Sequence, residues 1–234
     1  MYAGSAADLA KLTQFARTAL TQAEQTLGRP GYFKLVGPTP TYLGSSTIDD
    51  FLAAGGGQWV DMISYHGYYT PGNLEHRVAA DIANVKLLMA AYGWGNKPNW
   101  NTEGAPGCAS EAPTGVDYVN CPWGATPPVE VQRGLHVRAL ASMLANGVSN
   151  FDYYFMEGTN QTAEPWRALA TEASGFTALT AQGEGFKKAA AWLKGTKLTS
   201  AYQMASLPVV IRHPHGDVEP HHHAATDVAR VDDE

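Results

Sequence analysis

One carboxylate, Glu103, stands where the sequence predicts that a strand ends. It belongs to the run 97–107, which has Pro98 near its start and Gly104 directly after the acid, so an extended segment gives way to a turn at this point. In barrels and open α/β sheets, catalytic groups collect at the carboxyl ends of the strands. We therefore interpret Glu103 as a candidate catalytic carboxylate. The alternative is a solvated loop acid without a chemical role.

A second predicted strand, 60–69, also gathers polar groups at its carboxyl end. His66 and Tyr68 are two residues apart, and residues with this spacing in an extended chain share one face. The imidazole and the phenol can therefore point into the same cleft. We predict that they line a polar pocket, the alternative being that His66 is an ordinary core residue.

These two strands together resemble a known family. The run Ile63-Ser64-Tyr65-His66-Gly67-Tyr68, followed by Trp100-Asn101-Thr102-Glu103-Gly104, resembles the sixth and seventh strands of the clan A retaining glycoside hydrolases, nearest to the xylosidase, iduronidase and cellulase-like branches. The resemblance implies that Glu103 is the nucleophile. It also implies that His66 and Tyr68 orient the nucleophile and the sugar, and that Trp100 belongs to the substrate-binding set.

The aromatic segment 148–157 resembles the eighth strand of the same clan. Its rings, Tyr153, Tyr154 and Phe155, could form the floor on which a sugar stacks, and Glu157 would follow at the rim as a further substrate-binding residue. In a regular strand Tyr153 and Phe155 share one face and Tyr154 takes the other, so only one set can face the pocket. The family usually has Trp on this strand, and this chain has none there.

The remaining pattern is that of an α/β fold. Apolar periodicity predicts helices over 5–27, 47–52, 74–92, 129–145 and 184–198, alternating with strands near 32–37, 60–66, 97–103 and 148–156. By resemblance this is a partial (β/α)8 TIM barrel that covers strands five to eight and occupies residues 1–204. The tail 205–234, rich in His and Asp, is expected to be disordered.

The mechanism of the family needs a second carboxyl group. Retaining hydrolysis uses two, about 5 to 5.5 Å apart. In the family the acid/base Glu follows an Asn at the end of the fourth strand, and this chain contains no Asn-Glu pair. Glu157 is the nearest substitute on the same rim, and Glu111 and Glu130 are weaker ones.

The sequence therefore predicts a glycoside hydrolase catalytic domain that lacks its general acid/base, acting on a carbohydrate without a metal or an organic cofactor. A non-catalytic carbohydrate-binding or scaffold protein of the same fold is the main alternative. An unrelated α/β enzyme with Glu103 as general base is a third.

Charge and composition limit the partners. The formal net charge is -6 and no local cluster of Lys and Arg is present, which argues against nucleic-acid binding, and no apolar run is long enough for a membrane span. A half barrel has two unpaired sheet edges, which favour self-association or pairing with a complementary N-terminal half. Cys108 and Cys121 either form a disulfide, which would indicate an extracellular or periplasmic location, or stay as free thiols.

Overall fold

The computed structural model describes most of the chain in five stretches. These are residues 4–40, 46–72, 74–106, 127–158 and 167–196, together with the backbone of 200–202 and 228–230. Cys108, Cys121 and Glu111 lie outside the described residues, as does most of the tail 205–234.

Five α-helices account for most of the regular structure, with two short 3-10 helices at Gly56–Trp59 and Glu172–Ser174. Ser5 caps the first helix through a capping box, in which its hydroxyl accepts from the Asp8 amide and the Asp8 carboxylate accepts from the Ser5 amide. The last helix begins three residues before its predicted start because Thr180 caps it, accepting from the Gly183 amide at 3.0 Å. The helices are α1 (Ala6–Leu27), α2 (Thr47–Ala53), α3 (Leu74–Ala91), α4 (Val129–Ala145) and α5 (Ala181–Leu193).

Four parallel strands form the central sheet, and their order in space is their order in the chain. They are β1 (Val36–Pro38), β2 (Met62–His66), β3 (Asn99–Gly104) and β4 (Asn150–Tyr153). The alternation of helices with a parallel sheet confirms the predicted α/β class. β1 and β4 lie at the two edges of this sheet.

The largest differences from the predicted strands lie at the start of β1 and the end of β4. The extended segment predicted from residue 32 becomes a strand only at Val36, because side-chain carboxylates take the preceding backbone donors: Glu24 accepts from the Phe33 amide and Asp61 from the Leu35 amide. β4 ends at Tyr153 rather than at residue 156.

The chain beyond β4 forms separate pairs of short strands. β5 (Glu157–Gly158) pairs in parallel with β6 (Ala170–Thr171), which takes Glu157 out of the strand predicted for it. Within the region predicted as a disordered tail, β8 (Val228–Arg230) pairs antiparallel with β7 (Ser200–Tyr202).

The main core lies between one face of the sheet and the helices. Ile63 and Tyr65 of β2 are fully buried there, against the apolar stripe of α3 and the inward face of α4. On α3, Val78, Ile82, Val85 and Met89 are fully buried, and Leu88 packs at the margin of the core. No helix in the described ranges is long and apolar enough to cross a membrane. Because the helices cover one face, the polar side chains of the strand ends project from the other.

Candidate active site

Glu103 meets both partners that the sequence predicted for it. The Tyr68 hydroxyl donates a hydrogen bond to Glu103 Oε1, and His66 Nδ1 lies 3.5 Å from the same oxygen. The side chain of Glu103 is 32% exposed and that of His66 14% exposed. Tyr68 and His66 therefore contact the carboxylate on one side, and its other side is accessible to a ligand.

A bulge in β3 brings Glu103 beside His66. Tyr65 pairs with Asn101 and His66 pairs with Glu103, so Thr102 is an extra residue on the β3 side of the ladder. A bulge of this kind redirects the side chains that follow it. In a regular strand Glu103 would share a face with Asn101, two residues earlier. Because of the bulge, it projects instead from the same face of the sheet as His66.

Two glycines allow the ends of β2 and β3 to approach closely. The Gly67 amide donates to the Glu103 carbonyl at 2.9 Å, and a Cβ atom on Gly104 would lie 2.1 Å from the Gly67 carbonyl oxygen. A Cβ atom on Gly67 would in turn lie 2.5 Å from the Tyr69 hydroxyl. A side chain at Gly104 would require a backbone shift, and one at Gly67 would require the Tyr69 and Asn101 side chains to move, so the two glycines allow the close spacing of the strand ends that carry the site.

Two of the three predicted aromatic residues border this pocket. The Tyr154 ring lies edge-on to the Tyr68 ring with 6.4 Å between centroids, and the Phe155 ring lies 5.1 Å from Tyr154. Tyr154 is 46% exposed, so its ring is available to a ligand. These rings provide an apolar surface next to the Glu103 carboxylate.

Tyr153, by contrast, faces the helices. Its ring packs 4.6 Å from His136 of α4 and 5.6 Å from Phe186 of α5, and its hydroxyl donates to the Arg167 carbonyl. The predicted pairing of Tyr153 with Phe155 on one face is therefore wrong. The alternation used for that prediction stops where β4 ends, at Tyr153.

Arg167 is a member of the site that the sequence did not reveal. Its guanidinium carbon lies 5.4 Å from the centroid of the Tyr68 ring and 5.9 Å from that of Phe155, and the residue is 3% exposed. A buried guanidinium over an aromatic face is attracted by the ring quadrupole. It comes from a segment that is distant in sequence from Glu103 and carries no motif, so no local signal could have identified it.

Trp100 and Glu157 are not brought to the carboxylate in the same way. Trp100 pairs with Ser64 and Asn150, deeper in the sheet than the strand ends, on the face from which Glu103 projects. Glu157 is exposed on β5, where it pairs with Ala170.

Among the described residues, Tyr68 and His66 are the polar side chains in contact with Glu103. The described part of the chain gathers no three His, Cys, Asp or Glu side chains that could hold a metal ion.

Comparisons with known proteins agree with this architecture. No protein-family model matches the chain, and no curated protein matches it. Among solved structures it is similar to the α-L-arabinofuranosidase from Thermotoga maritima in complex with arabinose, with 12% identity, a TM-score of 0.51, and coverage of 79% of this chain and 35% of that one.

It is also similar to AbfB, a family 51 α-L-arabinofuranosidase from Bifidobacterium longum, with 13% identity, a TM-score of 0.52, and coverage of 80% of this chain and 41% of that one. The chain thus spans well under half the length of either structure. At this identity the likeness shows the fold alone: the chain has the α/β arrangement found in part of these glycoside hydrolases.

Proposed function

We propose that this chain carries the nucleophile of a retaining glycoside hydrolase and that Glu103 is that nucleophile. The observation that supports this most directly is the pair of contacts at Glu103, where Tyr68 donates to the carboxylate and His66 lies beside it. A carboxylate that attacks an anomeric carbon must keep one oxygen free and directed at the sugar. Donors on the other oxygen provide that orientation.

The chemistry assigned to each group follows from its position. Glu103 attacks the anomeric carbon and forms a glycosyl ester as the bond to the leaving oxygen breaks. Tyr68 and His66 hold the carboxylate in place for the attack. The exposed ring of Tyr154 and its neighbour Phe155 offer an apolar surface on which the less polar face of a sugar ring packs.

We further propose that the four-stranded sheet is half of an eight-stranded barrel. A closed barrel of this type needs eight strands, and β1 and β4 present edges at which further strands can add. The complementary half would be an N-terminal segment of the same kind or a second copy of the chain. Mixing the chain with such a segment and measuring the mass of the complex tests this proposal.

Covalent trapping tests the assignment of Glu103. The protein is incubated with 2,4-dinitrophenyl 2-deoxy-2-fluoro glycosides of glucose, xylose and arabinose, and its intact mass is recorded. Such substrates form the glycosyl ester readily because the leaving group needs no protonation, and the fluorine slows its hydrolysis. We expect an added mass of one fluorosugar, which disappears in Glu103→Gln. Glu130→Gln, an exposed acid in the first turn of α4, is the matched control and should be labelled like the wild type.

A non-catalytic carbohydrate-binding protein is the second candidate. It is favoured by the fact that no carboxylate of the described residues contacts Glu103, whereas the rings of Tyr68, Tyr154 and Phe155 surround the cleft. Calorimetric binding of an oligosaccharide by folded protein that forms no adduct with any of the three probes would support this function over the enzymatic one.

A further inference from the structure

Thr39, directly after β1, has a backbone conformation that a β-branched residue rarely adopts. Its φ is 58°, in the left-handed region that favours glycine. Conformations of this kind persist only where the surrounding structure holds them, and they cluster at active sites and ligand clamps. A glycine would adopt this backbone without strain. The threonine at this position therefore points to a role for its side chain.

Backbone hydrogen bonds fix this segment to β2. Thr39 lies between two prolines, so it has the only backbone N–H group of residues 38–40, and this group donates to the Ser64 carbonyl at 3.2 Å. The Pro40 carbonyl accepts from the His66 amide at 2.9 Å. The chain after β1 therefore runs alongside the part of β2 that ends at His66.

The Thr39 hydroxyl group lies on the face of the sheet that carries the candidate site. Its Oγ1 is 2.6 Å from Ser64 Oγ, within hydrogen-bond distance. Ser64 and His66 stand on either side of Tyr65, which belongs to the helix-side core, so side-chain alternation puts both of them on the opposite face. Thr39 therefore shares a face of the sheet with His66 and with Glu103 beside it.

Burial distinguishes the two hydroxyl groups of this pair. Ser64 is fully buried, whereas Thr39 is half-buried. A hydroxyl group has one hydrogen to donate and two lone pairs that accept, and the contact with Ser64 uses one of these on Thr39. Ser64 therefore orients the Thr39 hydroxyl group, whose remaining hydrogen-bonding capacity is available to a ligand.

The surroundings of Glu103 differ on its two sides. Towards β4 the rings of Tyr154 and Phe155 present an apolar surface. Towards β1 the hydroxyl group of Thr39 lies two strands from Glu103, which is about 10 Å at the usual strand spacing. One sugar ring and the side chains that contact it can fill such a gap. A sugar combines an apolar ring face with hydroxyl groups around its edge, so it suits both surfaces.

We propose that Thr39 binds a hydroxyl group of the sugar whose anomeric carbon meets Glu103, and that it contributes to the sugar specificity of the site. The assignment rests on the function proposed for Glu103. The Thr39 hydroxyl group exchanges a hydrogen bond with the sugar while Ser64 holds it in place. Because this contact is remote from the reacting bond and present before the attack, it strengthens binding of the sugar without changing the rate of the attack.

Deoxy sugars measure this contact. Thr39→Val removes the hydroxyl group and keeps the shape of the side chain, Thr39→Ser keeps the hydroxyl group, and Thr39→Gly removes the hydroxyl group and the strain together. Thr21→Val, the same change at an exposed threonine of α1, is the matched control. Each protein is incubated with the dinitrophenyl fluoroglycoside that traps wild type and with analogues that each lack one of the remaining sugar hydroxyl groups. The dependence of the trapping rate on probe concentration gives an apparent dissociation constant and a maximal rate, and circular dichroism establishes which variants fold.

We expect Thr39→Val to raise the apparent dissociation constant of the parent probe about 3- to 10-fold, the effect of one neutral hydrogen bond, with a maximal rate within about twofold of wild type. Wild type, Thr39→Ser and Thr21→Val should discriminate against one deoxy analogue by a similar factor. Thr39→Val should bind that analogue and the parent probe equally. Thr39→Gly should bind like Thr39→Val and unfold at a higher temperature than Thr39→Val, because glycine adopts the left-handed conformation without strain.

Equal dissociation constants for wild type and the two variants without the hydroxyl group would overturn the proposal, as would a wild type that binds every deoxy analogue as well as the parent probe. Thr39→Val and Thr39→Gly that bind weakly but discriminate as wild type does would show a merely structural role. Each of these results leaves Glu103 as the nucleophile. If folded wild type is not trapped by any probe, the function proposed for Glu103 fails first and the assignment of Thr39 with it.

Discussion

The hydroxyl of Tyr68 is the one direct hydrogen-bond donor to Glu103 among the described side chains, so its removal should slow glycosylation. Tyr68→Phe keeps the ring against Arg167 and Tyr154 and deletes only the O–H group. A hydrogen bond to a charged group contributes about 1.5 to 3 kcal/mol, so we expect the rate of trapping by the fluoroglycoside to fall roughly 10- to 100-fold.

The control for this change is Tyr92→Phe, which removes a tyrosine hydrogen bond to Asp49 on an exposed surface. It should be trapped at the wild-type rate. If Tyr68→Phe also reacts at the wild-type rate, the phenol does not orient the nucleophile.

The guanidinium of Arg167 packs against the ring of Tyr68. Its guanidinium lies over the Tyr68 and Phe155 rings, and a desolvated contact of this kind contributes about 1 to 2 kcal/mol. We expect Arg167→Met to slow trapping roughly 3- to 30-fold by loosening Tyr68, with Arg167→Lys intermediate because an ammonium lacks the planar stacking surface. Arg133→Met, at an exposed arginine of α4, is the control. Equal trapping rates for Arg167→Met and wild type would show that the cation does not position the phenol.

At the scale of elements, the close approach of β2 and β3 makes a direct prediction about stability. Gly104→Ala would bring Cβ to 2.1 Å from the Gly67 carbonyl oxygen, and the strand ends would have to separate. We expect the free energy of unfolding to fall by about 1 to 3 kcal/mol, measured by guanidinium denaturation.

Gly134→Ala is the matched control. Gly134 lies inside α4 with nothing within 4 Å of a new Cβ atom, so the same substitution should raise the free energy of unfolding by about 0.5 to 1 kcal/mol. Equal effects of the two substitutions would show that the strand ends do not meet as closely as described.

The elements themselves differ in how far the sequence could predict them. The buried residues of α3 are all apolar and recur at helical spacing, and Ser5 and Gly28 supply local start and stop signals for α1, so these helices are confirmed almost to the residue. The bounds predicted for α4 are also confirmed, although its buried face includes the polar side chains of Gln132, His136 and Ser142. The end of β4 could not be predicted, because it depends on which neighbour the chain pairs with after Tyr153.

The same distinction applies to the site. Glu103, His66 and Tyr68 each stand beside a glycine at a strand end, a signal that is local in sequence. The orientation of Tyr153 and the place of Arg167 arise from packing between distant segments. Local pattern contains no information on such contacts.

At the scale of the whole molecule, a buried histidine should make the fold sensitive to acid. His136 is fully buried between Tyr153 and Phe186, and burial lowers its pKa to about 3. The unfolded chain binds this proton near pH 6.5. Stability should therefore be complete above about pH 6.5 and fall as the pH decreases toward 3, by at most about 1.4 kcal/mol per pH unit.

Urea denaturation of wild type and His136→Phe between pH 4 and 7 measures this contribution. The difference between their free energies of unfolding should change with pH. His76→Phe, which alters an exposed histidine of α3, is the control for replacing a histidine by phenylalanine. A pH-independent difference for His136→Phe would show that this residue is not buried in its neutral form.

Locating the trapped sugar tests directly whether Glu103 is a glycosidase nucleophile. The adduct formed with the 2-fluoro glycoside is digested, and the modified peptide is fragmented in a tandem mass spectrometer. We expect the added mass to lie on Glu103 alone. An adduct on Asp152, Glu157 or any other residue, or folded wild-type protein without an adduct, would contradict it.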